Sequence, residues 1–318
     1  MSVILEKVLV TGVNGFVAKN ILKSLITQYE IIGVSVEDVN MTGFDITYIQ
    51  ADIADFDNIS RIFEEYKPDF VIHLAAIVHK KSMLADYDAF YKINYLASEN
   101  IFKNCVSNHV KKILFSSTVE VYDLPENAEI FENSTINPPS DYGKTKIMAE
   151  KSLIETAQDS GLNYAVMRFA PVYSKEFMLN IDRRIYLKKN KILYYFGKGD
   201  YFFNMCSVNN IVDFISAFIE KDHVSGIYNI SDSETFTVKQ IVLLEKEKTN
   251  SIVIKMPYYL TVLAISIVEF VITKLLRKKS VITRYNIDKI FKCNIFNNHR
   301  ALTVVNELKW NIKNTIYS

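Results

Sequence analysis

The sequence predicts an α/β fold: a doubly wound parallel sheet with helices on both faces, followed by a smaller C-terminal lobe of mixed α/β structure. Three observations predict it. A glycine turn, TGVNGFVA at 11–18, separates a β-branched run from a helical pattern. Strand and helix patterns then alternate as far as about Pro171. The strand runs are apolar throughout, as strands covered on both faces are.

The first strand is KVLV at 7–10, and apolar residues at helical spacing over 16–25 give the first helix. An apolar run at 30–36, the strand-like TYIQADI at 47–53, a helix over 55–66 and the buried run FVIHLAA at 70–76 follow. A long helical pattern spans 86–108. KKILFSS at 111–117 is the next strand, and a polar loop containing NPPSD leads to a helix over 141–159 and the strand NYAVMRFA at 163–170. Beyond this the alternation breaks down. The division expected is a dinucleotide-binding domain over 1–170 and a substrate lobe over 171–318, with some segments returning to the first domain.

Composition narrows the function. With 318 residues, 23% charged side chains and a net charge of +1, the chain is enzyme-sized and carries no field that would recruit nucleic acid. Cys105, Cys206 and Cys293 are far apart and lack metal-ligand spacing, which points to free thiols in a reducing, cytoplasmic setting and to no metal. The sequence enters its first strand without a charged and then apolar leader, so no export is expected.

In a doubly wound sheet ligands gather at the carboxyl ends of the strands. Gly12 permits the tight turn, and Gly15 leaves room for a pyrophosphate to approach the first amides of the next helix. Asp52 follows a strand and can accept from an adenine amino group, or it caps the next turn. Ser35 stands where an acid commonly holds the cofactor ribose, with Glu37 and Asp38 just beyond, so the choice between NAD and NADP stays open. Tyr142 and Lys146 are four apart near a helix start, on one face. A neighbouring ammonium and an oxidised nicotinamide would lower the tyrosine pKa from about 10 toward a working proton shuttle. Thr118 ends a buried strand and projects a hydroxyl toward the same crevice. Ser116 and Ser117 are its alternatives, each equally able to satisfy backbone at the strand end. Asn94 in the long helix organises either a water or the helix itself.

These pieces together resemble the extended short-chain dehydrogenase/reductases of the NAD-dependent epimerase/dehydratase family. TGVNGF, ADI, HLAA, YKINYLASENIF, SSTVEVY, YGKTK, RFAPVY and FNMCSVNNIVDFI occur in that family's order over about the first 230 residues. Ala18 stands where many members have a third glycine. The resemblance implies a Rossmann domain, bound NAD or NADP, and a catalytic triad at Thr118, Tyr142 and Lys146. It further implies cofactor contacts at Gly12, Asn14, Gly15, Phe16, Val17, Ser35, Asp52, Ile53, Leu74, Ala75, Ala76, Asn94, Ser116, Tyr142, Lys146 and Phe169. The substrate class it implies is a nucleotide-activated sugar, epimerised at C4 or reduced as a 4-keto sugar. A 4,6-dehydratase or decarboxylase is the alternative, and a sterol-type relative or a non-catalytic cofactor binder lies beyond that. In TVE, Glu120 matches the dehydratases' proton-abstracting acid, but Val119 cannot donate a proton as their acidic neighbour does. The apolar run 258–276 before Arg277, Lys278 and Lys279 reads as a buried helix, a homodimer face or a membrane-surface helix, the packed reading being preferred because Glu269 interrupts it.

Overall fold

The computed structural model of the chain describes residues 5–78, 87–125, 127–222, 224–259, 262–263, 266–267 and 293–318. In chain order the strands are β1 (Lys7–Thr11), β2 (Glu30–Ser35), β3 (Thr47–Gln50), β4 (Phe70–His73), β5 (Lys112–Thr118), β6 (Glu129–Ile130) and β7 (Asn163–Phe169). They continue as β8 (Val172–Tyr173), β9 (Tyr186–Lys188), β10 (Ile192–Phe196), β11 (Cys206–Ser207), β12 (Gly226–Ile230), β13 (Ile252–Met256) and β14 (Ile295–Phe296). The helices are α1 (Phe16–Leu25), α2 (Phe56–Tyr66), α3 (Tyr87–Phe90), α4 (Ala97–Ser107), α5 (Asp141–Ser160), α6 (Leu179–Ile185), α7 (Val208–Glu220), α8 (Val238–Lys248) and α9 (Ile312–Ile316).

Seven strands form one parallel sheet in the order β12-β7-β5-β4-β1-β2-β3. The order reverses between β1 and β4, which opens a crevice at their carboxyl ends. Alternate side chains of β1 explain its unbroken apolar character. Val8 and Val10 pack with Ile21 and Leu22 of α1 and with Phe214 and Phe218 of α7. Leu9 faces the other way, into the core made by Ile62 and Phe63 of α2, Phe102 of α4 and Leu153 of α5. A third core holds the C-terminal lobe, where the β13-β10-β9 sheet packs Leu193 and Phe196 with Ile241 of α8 and Ile312 and Ile316 of α9. The crossover after β11 returns α7 and β12 to the large sheet, in register with β7.

Local chemistry sets the boundaries. Asp55 accepts from the Asn58 N–H at the start of α2, Ser140 does the same from Gly143 for α5, and Gly161 at φ +75° ends α5. β3 stops at Gln50, short of the expected run to 53, because Ala54 N–H turns back to the Asp52 carboxylate. β4 ends at His73, where the chain bends to pack Leu74 and Ala75 beside Gly12. The expected long helix is not uniform: a π segment, Tyr91–Leu96, joins α3 to α4.

Only part of the 258–279 run lies within the described residues. Tyr258 and Val262 pack against the lobe's core, while Tyr259, Leu263 and Ile267 are exposed, so the packed reading holds for one face. Among the described residues no helix is long and apolar enough to cross a membrane.

Candidate active site

The glycine turn is built for close approach. Gly12 has φ +69°, and a Cβ there would stand 2.9 Å from both N and Cα of Ala75. Gly15 is exposed and extended; a Cβ on it would meet the Gly12 carbonyl at 2.9 Å and, among the described residues, nothing else within 4 Å. No side chain caps α1, so its leading N–H groups face the opening with Phe16 and Val17 half-buried beside them. Ala18, in place of a third glycine, is buried against the sheet.

Next to this turn the structure supplies the acid that the end of β2 lacks in sequence. The Ser35 hydroxyl donates to the Glu37 carboxylate. Asn14 Nδ2 bonds Glu37 Oε2 at 3.4 Å, the Val39 carbonyl at 2.9 Å and Tyr48 Oη at 3.0 Å, while Asn14 Oδ1 accepts from Met41 N–H. The Ser35 hydrogen bond, aided by the residue's own backbone, holds the Glu37 carboxyl below its usual range, so it is ionised at neutral pH. The Asn14 carboxamide is committed to the loop that carries Glu37. Asp52 is exposed and caps its own turn through Ala54, with Ile53 buried behind it.

The second cluster lies where β5 meets α5. Of the three candidate hydroxyls, Ser116 donates to the His73 carbonyl at 3.1 Å and the buried Ser117 donates to Glu150. Thr118 Oγ1 accepts from Glu120 N–H at 3.1 Å and keeps its own proton uncommitted among the described residues. Ser116 therefore ties β5 to β4. Thr118 pairs in register with Phe169 at the end of β7. α5 presses close to this strand end, for a Cβ on Gly143 would lie 2.8 Å from the Glu120 carbonyl.

Lys146 is buried, its Nζ 4.3 Å from the centre of the Phe115 ring and without a hydrogen-bond partner among the described residues. Burial lowers its pKa to about 7, against the opposing pull of Glu150. Tyr142, one turn earlier, is pushed above its ordinary range, first by burial and then by the Glu120 carboxylate. Without a nicotinamide both of these contributions act upward, opposite to the lowering expected from the ammonium and the nicotinamide ring together.

Beneath these residues α5 is anchored by a buried ion pair that sequence reasoning missed. Arg168 of β7 bonds both Glu150 oxygens through Nε at 3.1 Å and one through Nη2 at 2.6 Å. Its Nη1 donates to Tyr122 Oη, which donates to Asn229. The Asn94 carboxamide bonds both the N–H and the carbonyl of Ile77, at 2.9 and 3.0 Å. Asn94 thus fixes the chain after Leu74, Ala75 and Ala76. Among the described residues no group of three or more His, Cys, Asp or Glu side chains could hold a metal ion.

A reversing parallel sheet with a glycine turn at its switch point, and tyrosine and lysine on the helix beside it, defines the dinucleotide-binding class of α/β proteins. Residues 8–231 match the model of the NAD dependent epimerase/dehydratase family, and the chain belongs to that family. The UDP-glucose 4-epimerase of Halalkalibacterium halodurans is 26% identical over 270 residues, covering 76% of this chain and 80% of that protein. The match to the UDP-glucose 4-epimerase of Azospirillum brasilense, 28% identical, covers 51% of this chain and spans about half of that protein, 48%. The solved structure of the Thermotoga maritima UDP-glucose 4-epimerase with UDP-glucose superposes with a TM-score of 0.73 at 22% identity, over 97% of this chain and 96% of that one, a likeness of fold.

Proposed function

We propose that the chain is an NAD-dependent enzyme acting at C4 of a nucleotide-activated sugar, by epimerisation or by reduction of a 4-keto sugar. The observation that carries this reading is the buried Nζ of Lys146, which has no hydrogen-bond partner among the described residues. A buried ammonium without a partner is costly, and ribose hydroxyls of a dinucleotide are acceptors that would complete it. The open cradle at Gly15 and the ionised Glu37 fit the other end of the same molecule. Glu37 suits the free ribose hydroxyls of NAD and repels the extra phosphate of NADP.

In this reading residues 1–170 hold the dinucleotide and 171–318 mainly hold the sugar nucleotide. NAD, when bound, supplies the acceptor and donor of hydride and a positive ring near the tyrosine. Thr118 donates its free hydroxyl proton to the sugar oxygen and orients it. Tyr142 takes the proton from that oxygen as the carbon is oxidised and returns it on reduction, which calls for a pKa below the one burial and Glu120 impose. Lys146 holds the ribose, and its charge offsets that of Glu120. Glu150 and Arg168 keep α5 in register with β5 and β7.

The names of the relatives support the 4-epimerase form of this reading. A dehydratase remains the second reading, because Glu120 acts electrostatically on Tyr142 and so stands at the site. The test is mass spectrometry of ligands retained by the purified protein, followed by turnover of a panel of nucleotide sugars with NAD and of 4-keto nucleotide sugars with NADH. Conversion of a nucleotide hexose to its C4 epimer, or of a 4-keto sugar to the alcohol, is expected. Absence of turnover across the panel, by protein loaded with NAD for the hexoses and with NADH for the 4-keto sugars, contradicts the proposal.

A further inference from the structure

Behind the glycine turn lies an imidazole to which the proposed chemistry gives no part. His73, the last residue of β4, is fully buried, stacked on the Phe115 ring at 5.6 Å and edge-on to Phe102 at 6.1 Å. Its Nδ1 is 2.6 Å from Thr11 Oγ1 and its Nε2 is 2.9 Å from Ser98 Oγ.

The partners fix the tautomer. The Ser98 hydroxyl donates its single proton to the Asn94 carbonyl at 2.9 Å, so toward His73 it can only accept. Nε2 therefore carries the proton, and Nδ1 accepts from the Thr11 hydroxyl. Thr11 Oγ1 in turn accepts from Ala75 N–H at 3.3 Å. Every bond donates in the same direction, from Ala75 through Thr11, His73 and Ser98 to Asn94. The chain joins β1, the end of β4 and the junction of the π segment with α4. Burial first, and then the charge of Lys146 on α5, keep the ring neutral with a pKa near 3.

We propose that His73 is a positioning residue for dinucleotide binding, locking the glycine turn to the Asn94 segment as the Nε2–H tautomer. Thr11 immediately precedes Gly12, and Gly12 has no spare room against Ala75. A shift of Thr11 therefore moves the phosphate cradle itself. A histidine does in one rigid ring what a carboxamide, which also accepts and donates, cannot reach to do at both positions at once.

Two isosteres separate the bonds. His73→Asn places an acceptor oxygen where Nδ1 was and keeps Thr11; His73→Gln places a donor nitrogen where Nε2 was and keeps only Ser98. Calorimetric titration with NAD alone reads the difference. His73→Asn should bind within about twofold of the wild type, whereas His73→Gln should lose about tenfold, the worth of one buried hydrogen bond. Nitrogen NMR of the wild-type imidazole should show Nε2 protonated and Nδ1 bare. Any other order of the two affinities, including equal losses alongside equal losses of melting temperature, overturns the proposal. A protonated Nδ1 overturns it too, and that reading on the wild type decides the matter if a variant does not fold. The inference rests on the cofactor part of the proposed function. With no sugar present in the titration, its failure is distinct from a failure of the substrate reading.

Discussion

Replacing Lys146 with methionine should stabilise the fold, and most strongly at low pH. The lysine is fully buried without a hydrogen-bond partner among the described residues, and burial moves its pKa from 10.5 to about 7. Between those values the unfolded chain binds more protons than the folded one, so wild-type stability rises with pH across that window. Below the folded pKa the whole penalty of charging the amine is present. A shift of that size sets a ceiling of about 5 kcal/mol, falling to about 1 kcal/mol near pH 9.5. Methionine keeps the length of the side chain and its contact with Phe115, and Glu150 keeps its bonds to Arg168. Urea unfolding of both proteins near pH 6 and near pH 9.5 measures the effect. The variant should gain a few kcal/mol at the lower pH and clearly less at the higher. A gain independent of pH, or a variant less stable near pH 6, would show that the amine has a partner and refute the reasoning.

Tyr142→Phe should lower turnover about 100- to 10,000-fold while calorimetry finds NAD affinity little changed, because the ring keeps its packing and only the proton carrier is lost; turnover at the wild-type rate would remove Tyr142 from the chemistry. Glu37→Gln should weaken NAD and relax discrimination against NADP by roughly tenfold or more, since the neutral amide no longer repels a phosphate; an unchanged ratio of the two dissociation constants would place the ribose elsewhere. Glu120→Gln should lower the Tyr142 pKa and leave epimerisation or keto reduction largely intact, whereas loss of activity, with a 4-keto-6-deoxy product from the wild type, would favour the dehydratase.

The large sheet was legible because its signals are local. A β-branched run before TGVNGF and four-residue spacing in YGKTK place β1, α1 and α5 without knowledge of the rest of the chain. What sequence could not show depends on contacts between distant segments. Ser116, Ser117 and Thr118 are equivalent as letters, and only their neighbours on β4 and α5 leave one proton free. Glu37 lies two residues beyond the expected place for an acid, and it takes Ser35 and Asn14 together to bring the carboxylate back to the strand end. The upward shift of Tyr142 in the protein alone is hidden for the same reason: pairwise spacing shows a lysine nearby but does not show the burial that raises the tyrosine. His73 and Arg168 stand in HLAA and RFAPVY, and their partners come from 25 and 62 residues away for the histidine and from 18 and 46 for the arginine.

The central claim, hydride transfer at C4 with Tyr142 as the proton carrier, is tested most directly by a nucleotide hexose deuterated at C4. With NAD-loaded protein the account predicts that the C4 epimer forms with its deuterium retained and without net formation of reduced cofactor, and that Tyr142→Phe gives no such product. Label lost to solvent, or an epimer formed as fast by Tyr142→Phe, would contradict it.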